Sequence, residues 1–288
     1  MKSTINSTIL PDSMMLKKVE PDESKCITIV IPALNEEKGI LKTISAIPKE
    51  ELMGMGYETQ VLVVDNGSQD RTGDLAREVG AEVVVEPRRG YGRAYKTGFE
   101  YARGQIIATA DADHTYPVEN IHELVKVLEQ ENLDFITTNR FGYALDGAMS
   151  FKHKVGNNIL NLTTKLLFLT DLKDSQSGMW VFRKELLNKL QLTSDSMAFS
   201  QELKIKACCF SKCKWKEIPI VYRNRVGKVK LRSLRDGTGN LLNLMIMRLS
   251  SGGKSVPTLD SVSKLNNSLS TRLHLLRLKL TFVDKSEN

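Results

Sequence analysis

Four short apolar runs, each long enough for one buried strand and each followed by a segment long enough for one helix, constrain this chain more than any other feature. CITIVIP (Cys26–Pro32) is the first, and the polar turn ALNEEKG leads from it into a helix expected over Glu37–Ile47. TQVLVVD (Thr59–Asp65) follows, then a loop and a helix near Thr72–Val79 closed by Gly80. AEVVVEP (Ala81–Pro87) precedes the glycine loop RRGYGR and a helix over Ala94–Ala102, and IIATA arrives as the fourth strand. Runs that do not alternate with polar residues suit strands covered on both faces. The rhythm predicts an α/β fold: a Rossmann-like, mainly parallel sheet with helices on both faces.

Ligands of such sheets bind beyond the carboxyl ends of the strands. The fourth run ends in Asp-Ala-Asp. On a continued strand Asp111 and Asp113 share a face, and their mutual repulsion would be relieved by a divalent cation. Mg²⁺ is commonly held by one or two carboxylates with water and substrate phosphates on its other positions. The plainer alternative is that one Asp caps the helix after Pro117. Asp65 closes the second strand as Asp111 closes the fourth, and Asn35 and Glu36 lie just past the first, so all are expected along one edge. Asn35 or Asn66 could equally shape a turn, and Asp70 is expected to cap the helix containing Thr72. Gly90, Gly92 and Gly98 do not form G-x-G-x-x-G after the first strand, so a dinucleotide fingerprint is absent, and the first two read as a turn.

The 288-residue chain is long enough for a sizeable core, and its 41% hydrophobic content is that of a soluble globular protein. Cys26, Cys208, Cys209 and Cys213 form neither a zinc pattern nor a dense disulfide framework, which points to a reducing compartment. Residues 1–25 lack the apolar core of a signal peptide and read as a flexible arm. No stretch is apolar enough for a membrane span. From Leu203 to Ser250 seven Lys and five Arg face only Glu217 and Asp236, a local +10 against +7 for the whole chain. Such a block suits a solvated face, anionic lipid or phosphate; without a helix-turn-helix, zinc or RNA-recognition signature, nucleic acid is not expected as a partner. LLNLMIMRL, within residues 240–249, reads either as an interfacial helix or as a core helix. Ser251–Pro257 reads as a linker, and Leu265, Leu269, Leu273, Leu276 and Leu280 recur at helical spacing.

IVIPALNEE, VLVVDNGSQDRT, the glycine loop, ATADADHTYP and DSQSGMWVFRKE occur in an order that resembles the family 2 glycosyltransferases of the GT-A fold, and within them the dolichyl- and polyprenyl-phosphate mannose or glucose synthases. The resemblance covers about Cys26–Asn240 and implies one catalytic domain over residues 26–240, with 241–288 as a helical, membrane-surface segment. It implies transfer of a hexose from a nucleotide sugar, GDP-mannose or UDP-glucose, to a lipid phosphate with Mg²⁺ or Mn²⁺, by a cytoplasmic protein peripheral to the membrane.

By the same resemblance Pro32, Leu34 and Glu36 touch the nucleotide, Leu34 standing where many members have Tyr. Asp65 recognises the base, Asp111 and Asp113 hold metal and diphosphate with Ala112 between them, and Arg140 meets a phosphate. Arg225 and Lys230 match the family's basic loop, with Val229 in place of its usual Ser. Thr115 stands where mannose synthases carry a metal-reaching Gln, and His153 where relatives often keep Arg. Gln176, Ser177 and Gly178 resemble the acceptor-side loop.

Displacement of a nucleoside diphosphate builds negative charge that a metal, Arg and Lys can stabilise, and an anionic lipid phosphate needs no strong base. A sugar hydroxyl acceptor would need one, for which Asp174 and Glu202 are the candidates. Asp174 could instead start a turn and Glu202 lie on a solvated face. A nucleotidyltransferase should show a glycine-rich, lysine-bearing turn where ALNEEKG stands, and a non-catalytic sugar-nucleotide-binding module is the remaining alternative.

Overall fold

A computed structural model describes residues 25–145, 147–227 and 233–250. A seven-stranded sheet in the order β3-β2-β1-β4-β6-β5-β7 forms its centre. The strands are β1 Cys26–Ala33, β2 Glu58–Asp65, β3 Glu82–Val85, β4 Ile106–Thr109, β5 Phe135–Ala144, β6 Trp180–Arg183 and β7 Trp215–Tyr222. Only β6 runs against its neighbours. The expected mainly parallel sheet is therefore present.

The helices are α1 Ile40–Ser45, α2 Lys49–Gly54, α3 Thr72–Glu78, α4 Tyr91–Tyr101, α5 Ile121–Gln130, α6 Phe151–Phe168, α7 Phe199–Ile205 and α8 Ser233–Ser250. Ile27, Ile29 and Ile31 of β1 join one core with Ile40, Leu124 and Leu128 of α1 and α5. Val30, between them in sequence, joins the other with Tyr95 and Phe99 of α4 and Phe199 of α7. Both faces of the strand are thus covered, which is why its sequence is an unbroken apolar run. Each of these side chains contributes about 2 kcal/mol by leaving water. α6 and α8 pack on each other at one end, around Leu160, Phe168, Leu244 and Met247.

Differences from expectation lie at element ends. The first helix starts at Ile40 because Glu36 to Gly39 form a turn, with the Gly39 and Ile40 N–H groups donating to the Glu36 carbonyl. The start of α4 lies at Tyr91, ahead of the expected Ala94 and directly after the turn at Gly90. α8 crosses residue 240 without a break, so the expected domain limit falls inside one helix. The arm over 1–24, the linker and the leucine repeat after 250 lie outside the described residues.

Chain order sets the position of the site. β1, β2 and β3 step to one side, and β4 returns to pair with β1 on the other, Val30 opposite Thr109. The crevice between the carboxyl ends of β1 and β4 is the switch point at which open sheets bind ligands.

Candidate active site

β4 ends at Thr109, so Asp111 and Asp113 reach the crevice from a turn and not by alternation along a strand. Asp113 makes that turn itself: its Oδ1 accepts from the Thr115 N–H (3.1 Å) and hydroxyl (2.6 Å). A side chain that bonds two residues ahead bends the backbone locally, which is the chemistry of Asx turns. His114 takes a left-handed φ of 61° in the same turn. Neither carboxylate caps α5, so the cap alternative does not describe these residues. Thr115 is buried, and its hydroxyl orients Asp113.

Two cavities meet at this turn. The first, about 290 Å³, is lined by Pro32, Leu34, Glu36, Asn66, Gly90, Tyr91, Asp111, Ala112, Asp113 and Arg225, among others. The second, about 200 Å³, lies between α6 and α8, with Arg140, Lys152, His153, Asn157, Gln176 and Asn240 in its wall. Tyr91, Asp111, Asp113, Met197, Arg225 and Asp236 line both.

Arg225 sits over the acids. Its Nη1 lies 2.5 Å from Asp113 Oδ2, and its Nη2 also pairs with Glu36. The Val226 N–H donates to the Asp113 carbonyl, so the loop after β7 is fastened to the turn through backbone as well. Among the described residues Asp111 accepts only a long hydrogen bond, 3.3 Å, from the Tyr91 hydroxyl. Burial, and next the neighbouring Asp113 charge, push its carboxyl up to about 7, with Arg225 and Arg140 opposing. Among the described residues no group of three or more His, Cys, Asp or Glu converges. The donor set, two buried carboxylates of which Asp111 is only partly compensated by Arg225 and Arg140, fits a hard divalent cation that keeps water or phosphate on its other positions.

Arg140, at the end of the regular part of β5, is fixed from behind. Asp174 grips it with two oxygens, 2.7 and 2.9 Å from Nε and Nη2, and also accepts its backbone N–H. Its guanidinium lies 5.5 Å from the Tyr222 ring centre. Burial alone would raise the Asp174 carboxyl, but Arg140, with the Lys204 charge added, outweighs it and brings it down to about 2. Lys204, fully buried, donates to the Asp174 carbonyl at 2.7 Å, and burial lowers its own pKa. The Asp174–Gly178 loop is further held by Asn161 on Ser175, Thr138 on Ser177 and Asn240 on Gln176.

The structure thus brings Pro32, Leu34, Glu36, Asp111, Ala112, Asp113, Arg140, Gln176 and Arg225 to the cleft. It places four others elsewhere. Asp65 lines neither cavity and accepts the Ser68 N–H at 2.8 Å, closing the loop after β2. Asp174 and Ser177 are wholly buried behind Arg140 and Gln176. Glu202 is neither at the cleft nor solvated: it is buried, accepting from Thr193, Ser194 and Lys206. Lys230 lies outside the described residues.

Asn35 and Asn66 shape turns as expected, whereas Asp70 is not the cap of α3, whose N-cap position is Arg71 without a side-chain cap bond. Asn35 accepts the Gln69 N–H, Asn66 binds the Glu86 and Arg88 carbonyls and the Gly90 N–H, and Asp70 accepts from the Thr72 N–H at the start of α3. Asn66 also lines the first cavity, so one side chain does both. Tyr91 was missed by the sequence reading, although it stands inside the glycine loop that reading singled out. Gly178 explains its placement, since a Cβ there would lie 2.5 Å from the Tyr91 hydroxyl and 3.4 Å from Asp111 Oδ1.

A Rossmann-like sheet with paired acids just past the strand at its switch point, and a second cavity beside them, is a GT-A-type fold with its ligand site where open α/β sheets carry one. The profile of "Glycosyl transferase family 2" matches residues 28–191, and the chain belongs to that family. It is 34% identical over 225 residues to a low-salt glycan biosynthesis hexosyltransferase of Haloferax volcanii, a match covering 77% of this chain and 54% of that one. The chain therefore spans about half the length of that relative. A dolichyl-phosphate hexose transferase of the same organism is 28% identical over 211 residues, covering 73% of this chain and 89% of the other. Glucosyl-3-phosphoglycerate synthase of Mycobacterium tuberculosis, solved with Mn²⁺, uridine diphosphate and glucosyl-3-phosphoglycerate, superposes with a TM-score of 0.63 at 22% identity, 82% of each chain covered. At that identity the likeness is one of fold.

Proposed function

We propose that this glycosyltransferase moves a hexose, with inversion, from GDP-mannose or UDP-glucose to a dolichyl or polyprenyl phosphate, as a peripheral protein at the cytoplasmic membrane face. The observation that carries the reading is the junction of two cavities at Asp111, Asp113 and Arg225. A donor in the first cavity and an acceptor in the second would meet there.

In the first, Pro32, Leu34 and Glu36 would contact the nucleotide, with Asn66 and Gly90 shaping the wall opposite. Asp111 and Asp113 would hold Mg²⁺ or Mn²⁺, which supplies positive charge against the departing diphosphate. In the second cavity Arg140 and Lys152 bring cationic groups from β5 and α6, and His153 adds a ring nitrogen, a wall suited to a phosphate monoester. Asp174 fixes the Arg140 fork before any ligand arrives, so little of its freedom is lost on binding. Arg225, and Lys230 beyond it, would add charge on the donor side as the nucleoside diphosphate leaves.

A phosphate nucleophile is already anionic, which matches the state of the two carboxylates considered as bases. Asp174 is locked to Arg140, and Glu202 is enclosed by Thr193, Ser194 and Lys206. Asp236 of α8 favours a second reading, because it is a carboxylate lining both cavities and could serve a sugar hydroxyl acceptor.

The test is incubation with radiolabelled GDP-mannose and UDP-glucose, polyprenyl phosphate and Mn²⁺ or Mg²⁺, followed by solvent extraction. Organic-phase counts with one donor support the proposal. Label that stays aqueous with both donors, while a sugar-hydroxyl acceptor is glycosylated, overturns it in favour of the second reading.

A further inference from the structure

The outward side of α6 is built as the inside of a helix usually is. Phe151, Val155, Ile159, Leu162 and Leu166, five large apolar residues, are all exposed, Phe151 by 79% and Leu166 by 69%. Their spacing of four, four, three and four places them on one stripe. On α8, which packs against α6, Leu242, Met245, Ile246 and Leu249 repeat the pattern and are likewise exposed. Leu244 and Met247 turn inward, so α8 is both core helix and surface helix. Scattered exposed Leu is ordinary, but two packed helices each carrying an apolar stripe are not.

Charge identifies the occupant. α6 contains no Asp or Glu. Lys154 and Lys165 lie on one border of its apolar stripe and Lys152 on the other, all exposed. Apolar residues flanked by lysines, with no acid among them, match the interfacial zone of a bilayer with anionic headgroups. A second copy packed face to face would bring the same lysine-bordered stripe, with no α6 carboxylate to pair with it. No described helix is long and apolar enough to cross a membrane, so the fit is to a surface.

Position gives the arrangement a use. Phe151 begins α6, and the next two residues, Lys152 and His153, line the second cavity. We propose that the exposed faces of α6 and α8 dock the protein on an anionic lipid surface, with the second cavity opening beside the contact. The docking stands on these two helices. The use of that opening, to admit a phosphate headgroup whose chain stays in the lipid, rests on the acceptor proposed above.

The experiment uses the full chain and vesicles of phosphatidylcholine with or without about one-third phosphatidylglycerol, read by flotation. The wild type should float with the anionic vesicles, less so as salt is raised above about 0.1 M. Ile159→Ser/Leu162→Ser/Leu166→Ser removes only exposed side chains and should lower the partition about tenfold or more, with unchanged circular dichroism and melting temperature. Lys154→Gln/Lys165→Gln should remove the preference for anionic vesicles. Flotation of the triple variant equal to wild type, or no wild-type flotation, overturns the docking surface. A wild-type dimer in light scattering that the triple substitution dissolves overturns it too, since the face then belongs to a second copy.

Transfer separates the two ideas. Activity of the triple variant should fall on vesicle-embedded polyprenyl phosphate and persist on a short, water-soluble one. Vesicle docking that depends on α6, without transfer to either acceptor, would leave the surface standing and remove the lipid-phosphate reading.

Discussion

Arg225 and Asp113, 112 positions apart, are joined by a 2.5 Å ion pair across the mouth of the cleft, and the same guanidinium reaches Glu36. The arrangement puts a cation of the protein's own where the acids would meet a metal. On the proposed reading, Arg225 and a divalent ion would compete for Asp113 until donor phosphates occupied the guanidinium. Arg225→Gln should bind Mn²⁺ more tightly than wild type without nucleotide, by about tenfold, the equivalent of one charge-assisted hydrogen bond. Its transfer rate should nevertheless fall about 10²-fold, because the charge on the leaving diphosphate loses a partner. Mn²⁺ titration by electron paramagnetic resonance and steady-state kinetics check the two halves. Asp113→Asn should lose both metal affinity and turnover, and chelation of the metal should stop the wild type reversibly.

Asp174 and Arg140 make the opposite kind of pair, buried and permanent. Removing the carboxylate leaves an enclosed guanidinium without its counter-charge, so Asp174→Asn should cost about 3–5 kcal/mol in denaturant unfolding. The sign of the pH effect follows from the depressed native value of about 2. The unfolded chain takes up the proton first, near pH 4, so the stabilisation is complete above that pH and lost as pH falls toward 2. Glu86, held at about 2 chiefly by Arg88, adds to the same window. Asp174→Asn should thus flatten, without abolishing, the fall in stability between about pH 4 and 2.

The strands were legible because burial on both faces leaves unbroken apolar runs, and the edge carrying Glu36, Asp111 and Asp113 follows from parallel pairing. What was not legible depends on contacts between distant segments. Asp174 and Glu202 read as bases because a sequence does not show that Arg140, 34 residues away, and the Thr193–Ser194 turn consume their oxygens. The apolar content of the α6 segment ILNLTTKLLF does not by itself tell which side of the helix faces inward. Only the packing of Leu160 and Phe168 against α8 does so. Tyr91 was hidden for a similar reason: its partner Gly178 is a residue with no side chain to suggest a role.

That partnership can be tested by adding one carbon. A Cβ at Gly178 would stand 2.5 Å from the Tyr91 hydroxyl, closer than such atoms approach. Gly178→Ala should displace the phenol from Asp111, destabilise the protein by about 1–3 kcal/mol and lower kcat. Removing the hydroxyl makes room, so Gly178→Ala/Tyr91→Phe should be more stable than Gly178→Ala alone. A double-mutant cycle on thermal stability measures the coupling, and additive effects would mean that the two residues do not meet.

Asp236 decides between the two acceptors. It lines both cavities, and a hydroxyl nucleophile would need such a carboxylate within hydrogen-bond reach, whereas a phosphate nucleophile would not. If the acceptor is a lipid phosphate, Asp236 acts only through its negative charge near the phosphate path. Asp236→Asn should then change KM for the acceptor by a few fold, in the direction of tighter binding, since one like charge is removed. A loss of about 10²–10⁴-fold in kcat would instead mark Asp236 as the general base of a hydroxyl-directed enzyme.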